Sequence, residues 1–411
     1  MKLLKVNTIE EVKKKMEMHF SGIEPKYESV SLHDSIGRVL GEDMISQINI
    51  PEFSRSVVDG YGIHGDDSFG ASESMPVKLN VIGSVEMGEL AHMVLKRGEC
   101  VYIPTGGMIP QGVDAMVMIE YVEVLDDDSV AIQKPAAPGD GIISEGDDFK
   151  KGTLLLKKGH RVRTQDIGAM AAIGKVKVQV YKKPTISIIS TGDELIDIQS
   201  EPNPGQVRDI NSHAIAALAA VAGAEINSIF IASDNFELCK TKVMEALKES
   251  DIVLISGGSS AGSKDMTVDI INASGKPGVF VHGIAIKPGK PTIIAKINEK
   301  AVFGLPGHPL SAIIVFKAVV NDFIQRFYLK NSDKEETIMA FLDSNVHASE
   351  GRETYQMVNL IKESQGYLAI PLYSKSGAVS ILLKADGYFR IPVGKEGALK
   401  GEAVEVTLLN N

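Results

Sequence analysis

The chain has 411 residues, 44% apolar and 23% charged, and its 53 acidic against 43 basic side chains give a formal charge of -10. That length exceeds one ordinary core and predicts about two to four domains, while the acidic balance argues against a nucleic-acid-binding surface and leaves room only for a local basic pocket. Cys100 and Cys239 are too few for a disulfide framework or a zinc cage and read as buried, inert thiols.

The start, Met1-Lys-Leu-Leu-Lys-Val-Asn7, lacks the apolar core of a signal peptide, and no apolar run reaches membrane-spanning length; a cytoplasmic protein without membrane contact is expected. Thr8 to Glu11 has the spacing of a capping box, and Val12, Met16 and Phe20 follow at steps of four on one helix face. A strand and a short turn fill Val30 to Gly41, and Ile48 to Ile63 reads as a loop. Within it Asp59-Gly60 is a turn pair, in which Asp59 either presents a carboxylate or simply caps the turn. From Val77 to Ile132 short β segments (77–82, 100–103, 115–119 and 130–132) predict a β-rich insert. Inside it, Pro104-Thr-Gly-Gly is either a plain turn or a hydroxyl and free N–H groups offered to an anion. A linker-like run, Lys134 to Gly141, closes the insert; Glu145-Gly-Asp-Asp148 supplies carboxylates, and a helix is expected over 165–173.

Between Pro184 and Leu329 strands alternate with helices, the pattern of a mostly parallel, doubly wound sheet. Asn211 or Ser212 is the expected cap of one helix and Gly223 its C-terminal stop. The apolar run Ile252 to Ile255 enters Ser256-Gly-Gly-Ser-Ser-Ala-Gly-Ser-Lys-Asp265 and then a short helix over 267–273. A strand, a glycine turn and a helix start form an anion cradle, because unpaired N–H groups converge there, and Asp265 is placed to hold Mg²⁺ against a phosphate. A P-loop is rejected, since Ser263-Lys264 has the reverse order of its Lys-Ser/Thr pair. Thr191-Gly-Asp-Glu194, the glycine cradle and Gly304-Leu-Pro-Gly-His-Pro309 all follow strands, where ligands of such sheets sit. From 336 to 411 short strands return without a helix, predicting a C-terminal β domain.

Taken in order, Pro51-x-Phe-x-x-Ser-x-x-Asp-Gly-Tyr61, Pro104-Thr-Gly, Gly146-Asp-Asp148, Ser190-Thr-Gly-Asp-Glu-Leu195, the 256–265 cradle, Lys287-Pro-Gly-Lys-Pro291 and Gly304-Leu-Pro-Gly-His-Pro-Leu-Ser-Ala312 resemble the molybdopterin molybdenumtransferase family, to which the C-terminal domain of gephyrin also belongs. The resemblance covers nearly the whole chain. It implies an L-shaped homodimer of α/β multidomain subunits: an elongated dimerisation domain (1–47 with 142–180), the β-rich insert (48–141), a molybdopterin-binding α/β domain (181–330) and a C-terminal β domain (331–411). The implied reaction inserts molybdenum from molybdate into adenylylated molybdopterin and releases AMP, with Mg²⁺ taking part. Contact with the molybdopterin adenylyltransferase and with molybdoenzyme maturation factors also follows from the resemblance.

Carried over residue by residue, the family's catalytic set falls on Asp59, Thr105, Asp148, Glu194 and Asp265, with Asp265 and Glu194 as the Mg²⁺ ligands. Pterin contacts fall on Ser56, Thr191, Gly192, Asp193, Asp234, Gly257, Gly258, Ser259, Gly262, Pro306, Gly307 and Pro309, Asp234 in the loosest motif. Lys287, Lys290, Ser311, Arg352 and either Ser376 or Ser380 suit a doubly charged tetrahedral oxyanion, molybdate or tungstate. Arg55, Gly62 and His308 depart from the commoner pattern, and His308 reads equally as an oxyanion donor or a helix cap. Rival readings are a non-catalytic molybdopterin-binding scaffold and an adenylyltransferase-like Mg²⁺-dependent nucleotide enzyme. Retention of Asp59, Asp265 and both lysines weighs against the first, and the extra β domains against the second.

Overall fold

The computed structural model describes residues 6–126, 128–257, 264–331, 335–364, 366–373 and 379–409, apart from the side chains of Lys264 and Asp265. Helix α1 (Ile9–Phe20) opens with the expected capping box: the Thr8 hydroxyl accepts the Glu11 N–H, and the Glu11 carboxylate accepts the Thr8 N–H. Its buried face is Val12, Met16 and Phe20. That face joins the core of the α/β unit, where the Phe20 ring lies 4.8 Å from Phe323 in an edge-on contact. Helix α2 (Thr164–Ala172) instead packs beside two short antiparallel pairs, Tyr27–Ser31 with Lys177–Tyr181 and Met44–Ile45 with Leu154–Leu156. Their small core contains Leu40, Met44, Val162, Met170 and Val178.

The α/β unit holds a six-stranded sheet of β1 (Thr185–Thr191), β2 (Glu225–Ala232), β3 (Ile252–Gly257), β4 (Pro277–His282), β5 (Ile293–Ile297) and β6 (Lys300–Leu305). The order is β2-β1-β3-β6-β5-β4; the first four are parallel, and β5 runs antiparallel to both its neighbours. Side chains alternate across it with period two. Ile186, Ile188, Ile252 and Leu254 face one core, with α1, α3 (Asn211–Val221) and the C-terminal helix. Ile189, Val253 and Ile255 face the other, with α4 (Phe236–Glu249) and α5 (Lys264–Ser274). Both faces are covered, which is why Ile252–Ile255 in β3 reads as a continuous apolar run. The C-terminal helix begins as α6 (Pro309–Val315) and continues through π-helical turns to Leu329.

The insert is a second six-stranded sheet, with strands in the order 115–118, 60–63, 99–103, 77–84, 129–132 and 122–126. Gly60–Ile63, expected to be loop, is one of its inner strands. Gly60 is therefore no turn glycine: a Cβ there would meet the Val117 carbonyl oxygen at 2.0 Å, so only glycine fits the close approach. In the C-terminal domain Glu353–Glu363, Gly366–Pro371, Thr337–Leu342, Ala403–Leu408 and Gly387–Ile391 follow one another, and the last pairs back with the first to close the ring. Contrary to expectation this domain carries a short helix, Ser380–Lys384, too brief to leave a periodic signal.

Candidate functional site

The expected site residues fall into groups set by different elements. The first surrounds residues 49–59. Asp59 is exposed, and its carboxylate accepts the Thr105 N–H at 2.9 Å, so the turn after Pro104 is fastened to the Asp59 loop. The Gly106 N–H donates to the Ser56 carbonyl at 2.8 Å, and the Ser56 N–H to the Gly107 carbonyl at 3.0 Å. Ser56 is buried, and its hydroxyl donates to the Val58 carbonyl at 2.6 Å, an internal brace that leaves it facing the chain. From the other side Gly146 donates to the Pro51 carbonyl and Asp148 to the Ile50 carbonyl, each at 3.0 Å. Asp59, Thr105 and Asp148 thus hang on one loop, although their motifs lie far apart in the chain.

The second group sits at the carboxyl ends of β1, β2 and β3. Thr191 pairs with both Ala232 and Gly257. Gly257 has φ +134°, and a Cβ on it would strike the Thr191 carbonyl at 2.2 Å, so the cradle begins where only glycine fits. Asp193 accepts the Asp234 N–H at 2.9 Å, which draws the β1 and β2 ends together. Burial, then the Asp193 and Glu194 charges, push the Asp234 carboxyl above the ordinary carboxylate range. The structure therefore brings Asp234, in the loosest motif, into one acidic cluster with Asp193 and Glu194. Gly258, Ser259, Gly262 and Ser376 lie outside the described residues, and Asp265 is placed only as main chain in α5.

Sequence reasoning missed the polar floor beneath these ends. Asn211 does not cap α3; Ile210 occupies the cap position and the Asp209 carboxylate accepts the Ser212 N–H at 3.2 Å. Asn211 instead donates its amide to the Ser256 hydroxyl and to the Gly307 carbonyl, both at 2.8 Å, tying β3 to the Pro306-Gly307 turn. Among the described residues, Ser190, Thr191, Asp209, Asn211 and Ser212 each keep a buried side-chain oxygen without a hydrogen-bond partner. No motif marks Asp209 and Ser212 in the sequence, where Asp and Ser at a helix start read as ordinary caps. Gly223 does stop α3, at φ +91°.

The third group joins the α/β unit to the C-terminal ring. Ile286–Lys287 pairs in parallel with the strand starting at Glu353: Ile286 lies opposite Glu353 and Lys287 opposite Thr354. Arg352, the residue before that strand, is thereby brought to the Lys287 loop. Gly289, at φ +120°, packs its backbone on Val315, where a Cβ would come within 2.6 Å of that side chain, so the Lys287–Lys290 loop rests on α6. Pro309 and Ser311 belong to the first turn of α6, and His308 stands at its cap position without a side-chain cap bond. Among the described residues, Lys287, Lys290 and Arg352 have no ion-pair or side-chain hydrogen-bond partner. Likewise, no hydrogen bond or ion pair links the Asp59 group to either of the other two.

Comparison with known proteins fits this division. The chain matches the family models described as "MoeA N-terminal region (domain I and II)" over residues 7–174, "Probable molybdopterin binding domain" over 187–326 and "MoeA C-terminal region (domain IV)" over 340–409. It is 31% identical to the molybdopterin molybdenumtransferase of Bacillus subtilis over 93% of this chain and 90% of that one. Against the molybdopterin molybdenumtransferase of Staphylococcus epidermidis the identity is 30%, over 98% of this chain and 95% of that one. The crystal structure of a molybdopterin biosynthesis MoeA protein from Pyrococcus horikoshii superposes with a TM-score of 0.85 at 39% identity, covering 99% of this chain and all of the other. The match of three consecutive regions and the full-length likeness lead to one conclusion: the chain belongs to the MoeA family of molybdopterin biosynthesis proteins.

Proposed function

We infer that the chain is a molybdopterin molybdenumtransferase, which takes adenylylated molybdopterin and molybdate, inserts molybdenum at the dithiolene and releases AMP. The observation that carries this reading is a separation of charge. Asp193, Glu194 and Asp234 gather at the β1 and β2 ends, while the Lys287–Lys290 loop meets the strand that follows Arg352 at the joint with the C-terminal ring, and among the described residues these three cations have no carboxylate partner. A site for a single polyanion would not need both signs. A nucleotide-bearing phosphate that binds with a cation needs the first, and a free tetrahedral oxyanion needs the second.

The donor set fits Mg²⁺. Among the described residues no group of three or more His, Cys, Asp or Glu side chains is placed to cage a metal. Mg²⁺ does not require one, since it is held through one or two carboxylates together with substrate phosphates. The raised Asp234 carboxyl marks a crowded acidic cluster that a cation would relieve. Glu194 and Asp265 would hold the ion, which when bound neutralises the phosphoanhydride oxygens as AMP departs. The chain's own residues orient the substrate. The Gly257 turn admits the backbone close to phosphate, and the oxygens of Ser190, Thr191 and Asp209 offer hydrogen-bond capacity to a bound ligand. Asp59 and Thr105, bonded to each other, present a carboxylate and a hydroxyl as one unit. Lys287, Lys290, Ser311 and Arg352 receive molybdate, with Ser376 or Ser380 contributing from the C-terminal domain.

In this reading the chain is organised in the four parts expected from the sequence, with α1 packed on the α/β unit, and the working unit is a homodimer. The test of the molybdate pocket is Lys290→Ala, which raises the molybdate concentration needed for AMP release and leaves pterin binding intact. An unaltered molybdate dependence would remove the pocket from the account.

A further inference from the structure

We propose that Thr354 is a positioning residue for the oxyanion pocket, a role that rests on the molybdate reading of Lys287 and Arg352 above. Thr354 is 5% exposed and meets both arms of the pocket. Across the parallel ladder its backbone lies opposite Lys287. Within its own chain its hydroxyl accepts the Ser349 N–H at 3.0 Å. Ser349 in turn accepts the Arg352 N–H at 3.2 Å through its carbonyl, and Gly351 takes φ +66° between them. The turn carrying Arg352 is therefore closed at both ends on Ser349, and Ser349 is held by the Thr354 hydroxyl. One side chain fixes the guanidinium-bearing turn to the residue paired with the lysine strand, although it touches neither cation. An oxyanion bridged by a lysine and an arginine tolerates little error in their separation, so the hydroxyl acts on affinity for the anion.

Thr354→Val keeps the shape and the branching that suit a strand and removes the acceptor; Thr354→Ser keeps the acceptor. On the purified full-length enzyme, with adenylylated molybdopterin fixed and molybdate varied, Thr354→Val raises the half-saturating molybdate concentration about tenfold, the effect of stranding one half-buried donor. Its maximal AMP release and its pterin affinity stay at the parent's values, and Thr354→Ser restores the parent's molybdate dependence. Arg352→Ala is the reference arm. A shift in Arg352→Ala with none in Thr354→Val overturns the positioning role and leaves the pocket standing. No shift in Arg352→Ala overturns the pocket, and the role of Thr354 with it. Equal loss of maximal rate and melting temperature in Thr354→Val, without a change in molybdate dependence, assigns the hydroxyl to folding alone and overturns the proposal.

Discussion

Asp59 carries a charge the fold has little use for: it is exposed, and its hydrogen bond to Thr105 joins two surface turns. An amide in its place still accepts that N–H and removes only the charge. Asp59→Asn is thus expected to keep its melting temperature and to lose most AMP release; parallel loss of both, followed by thermal denaturation and turnover, would make the residue structural. Asp166 is the opposite case, a carboxylate with a structural task. Burial pushes its carboxyl up, yet hydrogen bonds from Arg163 and from the His160 ring outweigh this and bring it from its ordinary 3.8 to about 2. The folded state then takes up the proton less readily than the unfolded chain. Its stabilisation is complete above about pH 4 and is lost as pH falls through about 2. Acid titration followed by circular dichroism should show Asp166→Asn already destabilised at neutral pH, with a flatter loss across that window; a parallel offset at every pH would deny the carboxylate this part.

The elements that position the site are held by close approaches, and these predict sharper effects than the charges do. Gly257→Ala places a Cβ against the Thr191 carbonyl at a φ that side chains avoid, for an expected cost of about 2–4 kcal/mol together with weakened pterin binding. Denaturant melts and pterin titration check both, and an unaffected variant would mean that the strand ends part easily. Helices and strands of the α/β unit were legible because each carries its own signal: steps of four on α1, an unbroken apolar run in β3 and a fully buried, isoleucine-rich stretch in β1. Gly60–Ile63 was not legible, since Gly-Tyr-Gly offers no β-branched signal and its strand character comes from the neighbours on either side. The role of Asn211 was hidden for the same kind of reason. An asparagine at a helix start reads as a cap, and only the fold reveals that it reaches Ser256 and Gly307 instead.

At the scale of the molecule, α1 and the 283–287 segment stitch distant parts of the chain together. Asn7 bridges to Ile284, and Glu353 donates its N–H to the Ala285 carbonyl, so the lysine loop is bounded by both the N-terminal segment and the C-terminal ring. Phe20→Ala removes a wholly buried ring from the shared core and is expected to cost about 3–5 kcal/mol in a denaturant melt. A much smaller cost would mean that α1 only rests against the α/β unit. The acidic strand ends and the cationic joint could be assigned to one ligand class each from their motifs, but their placement on different elements is a product of tertiary pairing alone. The central claim is that these regions serve two substrates of one reaction. Its most direct measurement is AMP release from adenylylated molybdopterin by the purified protein as molybdate is titrated. The account predicts release that depends on molybdate, saturates, and moves to higher molybdate in Lys290→Ala. AMP release that is absent, or that proceeds at the same rate without molybdate, would contradict it.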